Sequence, residues 1–130
     1  MDTEDAGIAF CHAAAECHLS AVQLLVQFGV PQRCCLDNLG SLHCAADRGR
    51  LRVVEFLLEN GTEQAPAAFG STPLMLASEN GNLDVVECLL NNGTTHVANN
   101  YGITPLFAAA TYGHLMSSSI FFIKVPNKFL

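Results

Sequence analysis

Basic residues are scarce in this 130-residue chain, which has 6 lysines and arginines against 12 aspartates and glutamates and a formal net charge of −6. Affinity for nucleic acids rests on basic side chains that neutralise phosphates. The only basic cluster, formed by Arg48, Arg50 and Arg52, is diluted by the neighbouring Asp47 and Glu55. The charge balance therefore argues against nucleic acid as the main ligand.

Long hydrophobic runs are also missing. A membrane helix needs about 20 consecutive apolar residues, and the apolar run Ile120 to Ile123 has only four. The first residues, MDTEDAG, are acidic and polar, so no signal peptide is expected. The six cysteines would indicate a disulfide framework only in a secreted protein. We interpret Cys44 and Cys88 as small apolar fillers and expect a reducing compartment, the cytoplasm, the nucleus or both.

The motifs of common catalytic sites do not occur. There is no glycine-rich phosphate loop, G-x-S-x-G elbow, H-E-x-x-H helix or kinase-like element. Cys11-His12 and Cys17-His18 could suggest zinc, but Cys11 and Cys17 are six positions apart, roughly 240° around a helix, whereas zinc ligands must converge. Cys34-Cys35 has neither CxxC spacing nor an obvious base. We predict a protein that is not an enzyme, with no cofactor and no bound metal.

What the chain does contain is an internal repeat with a period of thirty-two positions. Alanines recur at 13, 45, 77 and 109, leucines at 19, 51, 83 and 115, and glycines at 29, 61 and 93. Half of the residues are hydrophobic, which is typical of a globular chain. A fixed period of this kind indicates stacked repeats, each too short to be stable without neighbours.

The clearest unit is GSTPLMLASENGNLDVVECLLNNG, residues 70–93. Thr72 and Pro73 suit an N-cap and the first helical position. We predict a short helix from Leu74 to Ser78 that stops at Asn80-Gly81, and a second from Leu83 to Leu90. Gly93 is placed for the left-handed position after the helix end.

These units resemble ankyrin repeats. STPLMLASENG, ITPLFAAATYGHL and SLHCAADRGRL are similar to the T-P-L-H-x-A-A-x-x-G-H-L core of that family, and LRVVEFLLENG and LDVVECLLNNG to its second helix. The period is one residue under the usual 33. The resemblance covers about Ala6 to Leu115 and implies an all-α solenoid of helix–turn–helix pairs joined by β-turn loops. We expect one domain over 1–130, with repeats at about 6–37, 38–69, 70–101 and 102–125 and a divergent tail at 116–130.

The first and last repeats depart from the pattern. Repeat one has Cys17 where later repeats have glycine, and Ile8, Phe10 and Val26 make it too apolar for a polar cap. Either some apolar residues are tolerated at the surface, or the chain has been cut from a longer array. In repeat four Ser117 and Ser118 replace the valines of repeat three, which predicts a marginal last helix. The tail could be an alternative ending on the sequence of a longer protein.

The resemblance also implies where partners bind. His43 would brace neighbouring loops and His114 would be structural, while inner helices and projecting fingers would line a concave binding face. The fingers correspond to VPQRCCLDN, TEQAPAAF and TTHVANNY, which predict turns with few strand residues. Matched by frame, the candidate binding residues are Leu36, Asp37, Leu39, Asp47, Arg48, Phe69, Ser71, Glu79, Asn80, Asn100, Tyr101, Ile103, Thr111 and Tyr112.

We therefore expect a module that binds a protein partner as a scaffold or adaptor. The alternatives are a regulatory inhibitor of a partner enzyme such as a kinase and a truncated product of a larger ankyrin-repeat protein, since function lies in surfaces rather than architecture. Phe69 and Tyr101 suit an interface hot spot, but packing between adjacent fingers is an equal alternative. We expect a monomer unless the apolar tail drives association.

Overall fold

The computed structural model describes residues 3–33, 39–62, 64–93 and 97–114. This part of the chain forms seven α-helices and one 3₁₀ turn, Ala68–Gly70. The helices are α1 (Thr3–Ala15), α2 (Leu19–Gln27), α3 (Ser41–Asp47), α4 (Leu51–Glu59), α5 (Pro73–Asn80), α6 (Leu83–Asn91) and α7 (Pro105–Thr111). The expected all-α repeat fold is confirmed. Leu36, Asp37 and the whole of 116–130, with the predicted last helix and its serines, lie outside the described residues.

The helices form two layers. Helices α1, α3, α5 and α7 stack in sequence as the inner layer, and α2, α4 and α6 pack behind them as the outer layer. The finger segments between repeats are turns where they are described, and the pairing of Arg33 with Gly40 is an isolated antiparallel bridge. Within the described ranges, no helix is long and apolar enough to cross a membrane.

Local sequence signals start the inner helices where predicted. The Thr72 Oγ1 accepts a hydrogen bond from the Met75 amide at 3.1 Å, and Thr104 does the same for Phe107 at 3.2 Å. Each threonine is followed by proline at the first helical position. The helix predicted from Leu74 extends from Pro73 to Asn80, and Gly93 takes the left-handed conformation, φ +79°, after the outer helix.

Small side chains let the inner helices approach one another. Ala14, Ala45, Ala46, Ala77 and Ala109 are fully buried, as are the paired valines of the outer helices and Leu57 and Leu89. Phe10, which its sequence position suggested as a surface residue, is fully buried in this core, whereas Ile8 is exposed. The first repeat therefore contributes to the same buried core as the other repeats, although apolar residues also lie on its exposed side.

One side chain per repeat ties each inner helix to the next repeat. Arg50 Nε donates to Ala15 O at 2.9 Å, Asn82 Nδ2 to Asp47 O at 3.1 Å, and His114 Nε2 to Glu79 O at 2.8 Å. The three donors recur at the repeat interval, and so do the three acceptors. Because the last carbonyls of a helix have no partner within it, these donors, which we call the clamp residues, satisfy groups that the helix cannot.

Each clamp side chain passes the inter-helix turn of the preceding repeat, and that turn must leave space for it. At Gly81, φ is +68°, and a Cβ there would lie 2.5 Å from His114 Nδ1. Cys17 occupies the same frame position in repeat one with φ +61°. A side chain in this left-handed conformation costs about 1–2 kcal/mol, so the first repeat is strained at this turn.

Replacing Asn82 with alanine should destabilise the protein. The change removes two hydrogen bonds, to Ala46 O at 2.8 Å and Asp47 O at 3.1 Å, across a repeat boundary. We expect the free energy of unfolding to fall by about 1–3 kcal/mol in urea denaturation. Asn60→Ala is the matched control, since the Asn60 amide bonds Phe56 O of its own helix at an exposed site. Equal losses in both variants would contradict a special role for the clamp.

Replacing Cys17 with glycine should stabilise the protein. Relief of left-handed strain exceeds the entropy that glycine gains on unfolding, which leaves a net increase of up to about 1 kcal/mol in the free energy of unfolding. Cys17→Ala retains the Cβ and should change little. A Cys17→Gly variant that melts below the wild type would show that the turn is not strained.

Candidate functional site

The candidate surface consists of the exposed side of the inner helices and the finger tips at 67–71 and 99–103; we call it the inner face. Both tips are closed by backbone hydrogen bonds, from the Ala67 amide to Ser71 O at 2.7 Å and from the Asn99 amide to Ile103 O at 2.9 Å. The equivalent tip between the first two repeats falls largely on residues 34–38, outside the described ranges.

The structure places the predicted residues at different depths. Leu39, Asp47, Ser71, Glu79 and Ile103 are half-buried. The exposed ones are Arg48, Phe69, Asn80, Asn100, Tyr101, Thr111 and Tyr112. Leu36 and Asp37 stay predictions, since both fall outside the described residues. The half-buried members help to hold the surface, and the exposed ones are available to a partner.

Phe69 and Tyr101 form one aromatic platform across adjacent fingers. Their rings stack with centroids 5.9 Å apart and planes 26° apart. Phe69 is nevertheless 60% exposed and Tyr101 69%. The pair thus packs finger on finger, as one interpretation expected, and still presents most of its area to solvent. The role of the two residues as an interface hot spot stays a prediction.

The backbone holds this platform in place. The Asn100 amide donates to Phe69 O at 2.8 Å and ties the third finger to the second. Asn99 Oδ1 accepts from the amides of Tyr101, at 2.9 Å, and Ile103, at 3.0 Å. An asparagine that bonds its own backbone two residues on is a typical turn signal. Asn99 therefore positions Tyr101, a role that the sequence analysis missed.

Polar side chains link the ends of the inner helices. Asn80 Nδ2 donates to Asp47 Oδ1 at 2.8 Å, and Arg48 Nη1 lies 3.7 Å from Glu16 Oε1. Burial, and secondly the charge of Asp47, raise the pKa of the Glu79 carboxyl. The acids Glu16, Asp47 and Glu79 therefore outnumber the arginines Arg48 and Arg50 at these helix ends.

Phe107 is a further exposed aromatic residue that sequence reasoning did not select. It occupies the frame position of His43 and Met75, which are almost fully buried, yet it is 60% exposed. His43 and Met75 are covered by the repeat that follows them. Any cover for Phe107 would come from beyond residue 114, outside the described part of the chain. The frame alone could not reveal this exposure.

His43 braces the second finger, as the resemblance implied. Its Nε2–H donates to Ser71 O at 3.1 Å, and its Nδ1 accepts from the Gly40 amide at 3.3 Å. Only the neutral ring with its proton on Nε2 makes both bonds. Burial, opposed by the bond to Ser71 and assisted by the charge of Arg33, holds the pKa of His43 below its ordinary value.

The thiol and histidine pairs of repeat one do not converge. Cys11 is buried, whereas His12, Cys17 and His18 are exposed. Within residues 3–33, 39–62, 64–93 and 97–114, no group of three or more histidine, cysteine, aspartate or glutamate side chains is arranged to hold a metal ion. The described thiols and imidazoles are accounted for by packing, bracing or surface exposure.

Comparison with known families gives two matches that together span most of the chain. A family model described as ankyrin repeats (3 copies) matches residues 61–121, and one described as ankyrin repeats (many copies) matches residues 10–58. No curated protein matched the sequence. The matched ranges contain the clamps, the braced finger and the aromatic platform described above.

Acid should destabilise the protein through His43. Since its pKa is lowered in the folded state, the native protein binds fewer protons than the unfolded chain just below the ordinary value of about 6.5. Stability from this group is present above that value and is lost as the pH falls through it. We expect the free energy of unfolding to decrease between pH 7 and pH 5.

The variant His43→Met, which places there the residue that repeat three carries, should lose this component of the pH dependence although it is less stable at pH 7. Urea denaturation of both proteins at several pH values gives the free energy of unfolding. The slope of this free energy against pH, rather than its absolute value, is then compared between the two proteins. His12→Met controls for removal of a histidine from an exposed position. An unchanged slope in His43→Met would show that His43 is not the responsible group.

Proposed function

We propose that this member of the ankyrin repeat family is a non-enzymatic module that binds a protein partner through its inner face. Ankyrin repeats are generally protein–protein interaction modules. The chain then acts as a scaffold or adaptor without chemistry of its own.

The observation that carries the proposal is the aromatic platform of Phe69 and Tyr101. Large aromatic side chains that are well ordered and exposed are the residues that most often dominate binding energy. Here the stacked rings and the hydrogen bond from Asn100 to Phe69 O fix the platform before any partner arrives. Little conformational entropy would then be lost on binding.

Charge supports a protein partner with apolar and basic side chains. Asp47, Glu79 and Glu16 lie along the inner-helix ends, and Arg48 is paired with Glu16. Arg50, a second member of the basic cluster, uses its Nε to bond Ala15 O. Arg50 thus serves the fold and the charge of Arg48 is offset by Glu16, which favours a protein rather than nucleic acid as ligand.

A location in the cytosol or nucleus belongs to the same proposal. Cys44 and Cys88 are free, half-buried thiols, which suits a reducing compartment.

The platform should be required for partner capture. We expect Phe69→Ala with Tyr101→Ala to lose the main partner, with affinity reduced at least about 30-fold if the pair is a hot spot worth about 2 kcal/mol. Affinity capture from cell lysate with mass spectrometry identifies the partner, and titration of the purified partner measures the affinity.

The matched control is Phe28→Ala, which truncates an aromatic residue that is 76% exposed at the end of the outer helix α2. It should retain the partner. The circular dichroism spectra of both variants should equal that of the wild type. Equal retention by the double variant would contradict binding through the platform, and loss of helix signal would show that the two rings are part of the folding core.

A further inference from the structure

A small pocket lies on the inner face between the second and third inner helices, α3 and α5. It is lined by Leu39, His43, Cys44, Asp47 and Leu76, and its volume is about 140 Å³. All of these residues except His43 are half-buried, so the pocket opens onto the inner face. An apolar cavity of about 150 Å³ can hold a group the size of benzene. The pocket therefore has room for one side chain of a partner.

The lining of the pocket is apolar except at one end. Leu39, Leu76 and Cys44 supply apolar surface. Asp47 is the last residue of α3 and lies three positions after Cys44, on the same side of the helix and about 4.5 Å further along its axis. The ring of His43 is neutral, because its Nδ1 accepts a hydrogen bond while its Nε2 donates one. Among the lining residues that the structure describes, the Asp47 carboxylate is thus the one charged group.

This carboxylate is held in place without being neutralised. Asn80 Nδ2 donates to Asp47 Oδ1 at 2.8 Å and to Leu76 O at 2.8 Å, which ties the carboxylate to α5. An amide carries no charge. The neighbouring Arg48 has its Nη1 3.7 Å from Glu16 Oε1, in the preceding repeat. Within the described ranges, no basic side chain forms an ion pair with Asp47.

A second carboxylate adds to the negative charge at this edge of the pocket. Glu79 on α5 lies one repeat interval after Asp47 on α3, so the two acids occupy equivalent positions on stacked helices. Burial, and secondly the charge of Asp47, raise the pKa of Glu79, which agrees with this placement. A positive charge bound at this edge would be attracted by both acids.

The chemistry of the lining selects the occupant. An apolar side chain would fill the pocket but cover the Asp47 carboxylate, and desolvating a charge without giving it a partner costs free energy. An acidic side chain would be repelled. Lysine and arginine place a charged head on an apolar stem of about three or four methylene groups, and the stem packs readily on apolar surface. Only these two match both ends of the pocket.

We propose that the pocket binds a lysine or arginine side chain of the partner protein. The stem packs against Leu76 and the apolar lining, and the charged head meets Asp47 with Glu79 beside it. The inference rests on the proposed function and deepens it, because it names a residue type that the partner presents to the inner face.

The pocket is close to the aromatic platform. His43 lines the pocket and donates to Ser71 O at 3.1 Å, and Ser71 closes the finger tip that carries Phe69. One short segment of the partner can therefore occupy both places, with an apolar residue on the platform and a basic residue in the pocket.

Peptide selection on the full chain tests which residue the pocket takes. A phage-displayed library of random dodecapeptides is panned on the purified protein, and we expect the enriched peptides to carry lysine or arginine near an apolar residue. Each is then synthesised with norleucine in place of that lysine, or citrulline in place of that arginine, which keeps the stem and removes the charge. Fluorescence anisotropy should show affinity for the wild-type protein reduced by about 5- to 10-fold.

The variant Asp47→Asn tests the other side of the contact. It keeps an oxygen that can accept from Asn80 and removes the charge, so it should weaken the original peptide by a similar factor. The norleucine or citrulline peptide should bind Asp47→Asn as well as it binds the wild type, because losses that overlap in this way indicate a direct interaction. Glu87→Gln, which removes an exposed acid from the outer helix α6, is the matched control and should bind both peptides like the wild type.

The outcomes separate this inference from the proposed function. Peptides that are lost by Phe69→Ala with Tyr101→Ala, but not on replacement of their basic residue, would overturn the pocket and leave the proposed function standing. Peptides that pair with Asp47 yet bind the platform variant unchanged would support the pocket and contradict binding through the platform. Enriched peptides without a basic residue would also overturn the pocket. That result and the norleucine comparison are obtained on the wild type and do not depend on how the variants fold.

Discussion

The structure depends on how the carbonyl groups at the C-terminal ends of its inner helices are satisfied. An α-helix leaves its last carbonyls without partners, and in a helix of two turns these are a large share of all its carbonyls. Arg50, Asn82 and His114 each supply a donor from the following repeat. The first three inner helices therefore each receive a hydrogen bond at their C-terminal end from the repeat that follows.

The finger tips are also held by hydrogen bonds that run from one repeat to the next. His43 reaches from an inner helix to Ser71 O, and the Asn100 amide reaches from the third finger to Phe69 O. Each bond crosses a repeat boundary, and together they set the height and spacing of the fingers. The stacking of Phe69 on Tyr101 is a result of that spacing. The same contacts that hold the array together thus arrange the surface proposed to bind a partner.

The sequence allowed the helices, their caps and the stacking order to be predicted, because these rest on local signals that recur in each repeat. Thr72-Pro73 and Gly93 are examples whose roles depend only on their neighbours. The clamps were harder to predict, since an arginine, an asparagine and a histidine perform one role and share no side-chain chemistry. The exposure of Phe107 could not be predicted from the repeat period at all. It depends on what lies opposite that side chain rather than on its position in the repeat.

The deviation of repeat one at its inner turn is explained by the clamp that crosses that turn. A glycine at position 81 leaves the space that the His114 ring fills, and a side chain there would collide with it. Repeat one has Cys17 at that position, and its clamp is Arg50, whose donor stands at the end of a long flexible stem. A compact ring needs the glycine, whereas an arginine can reach the carbonyl past a side chain. The unit that repeats along the array is therefore the pair of turn residue and clamp, and a cysteine at the turn is compatible with the fold because its clamp is an arginine.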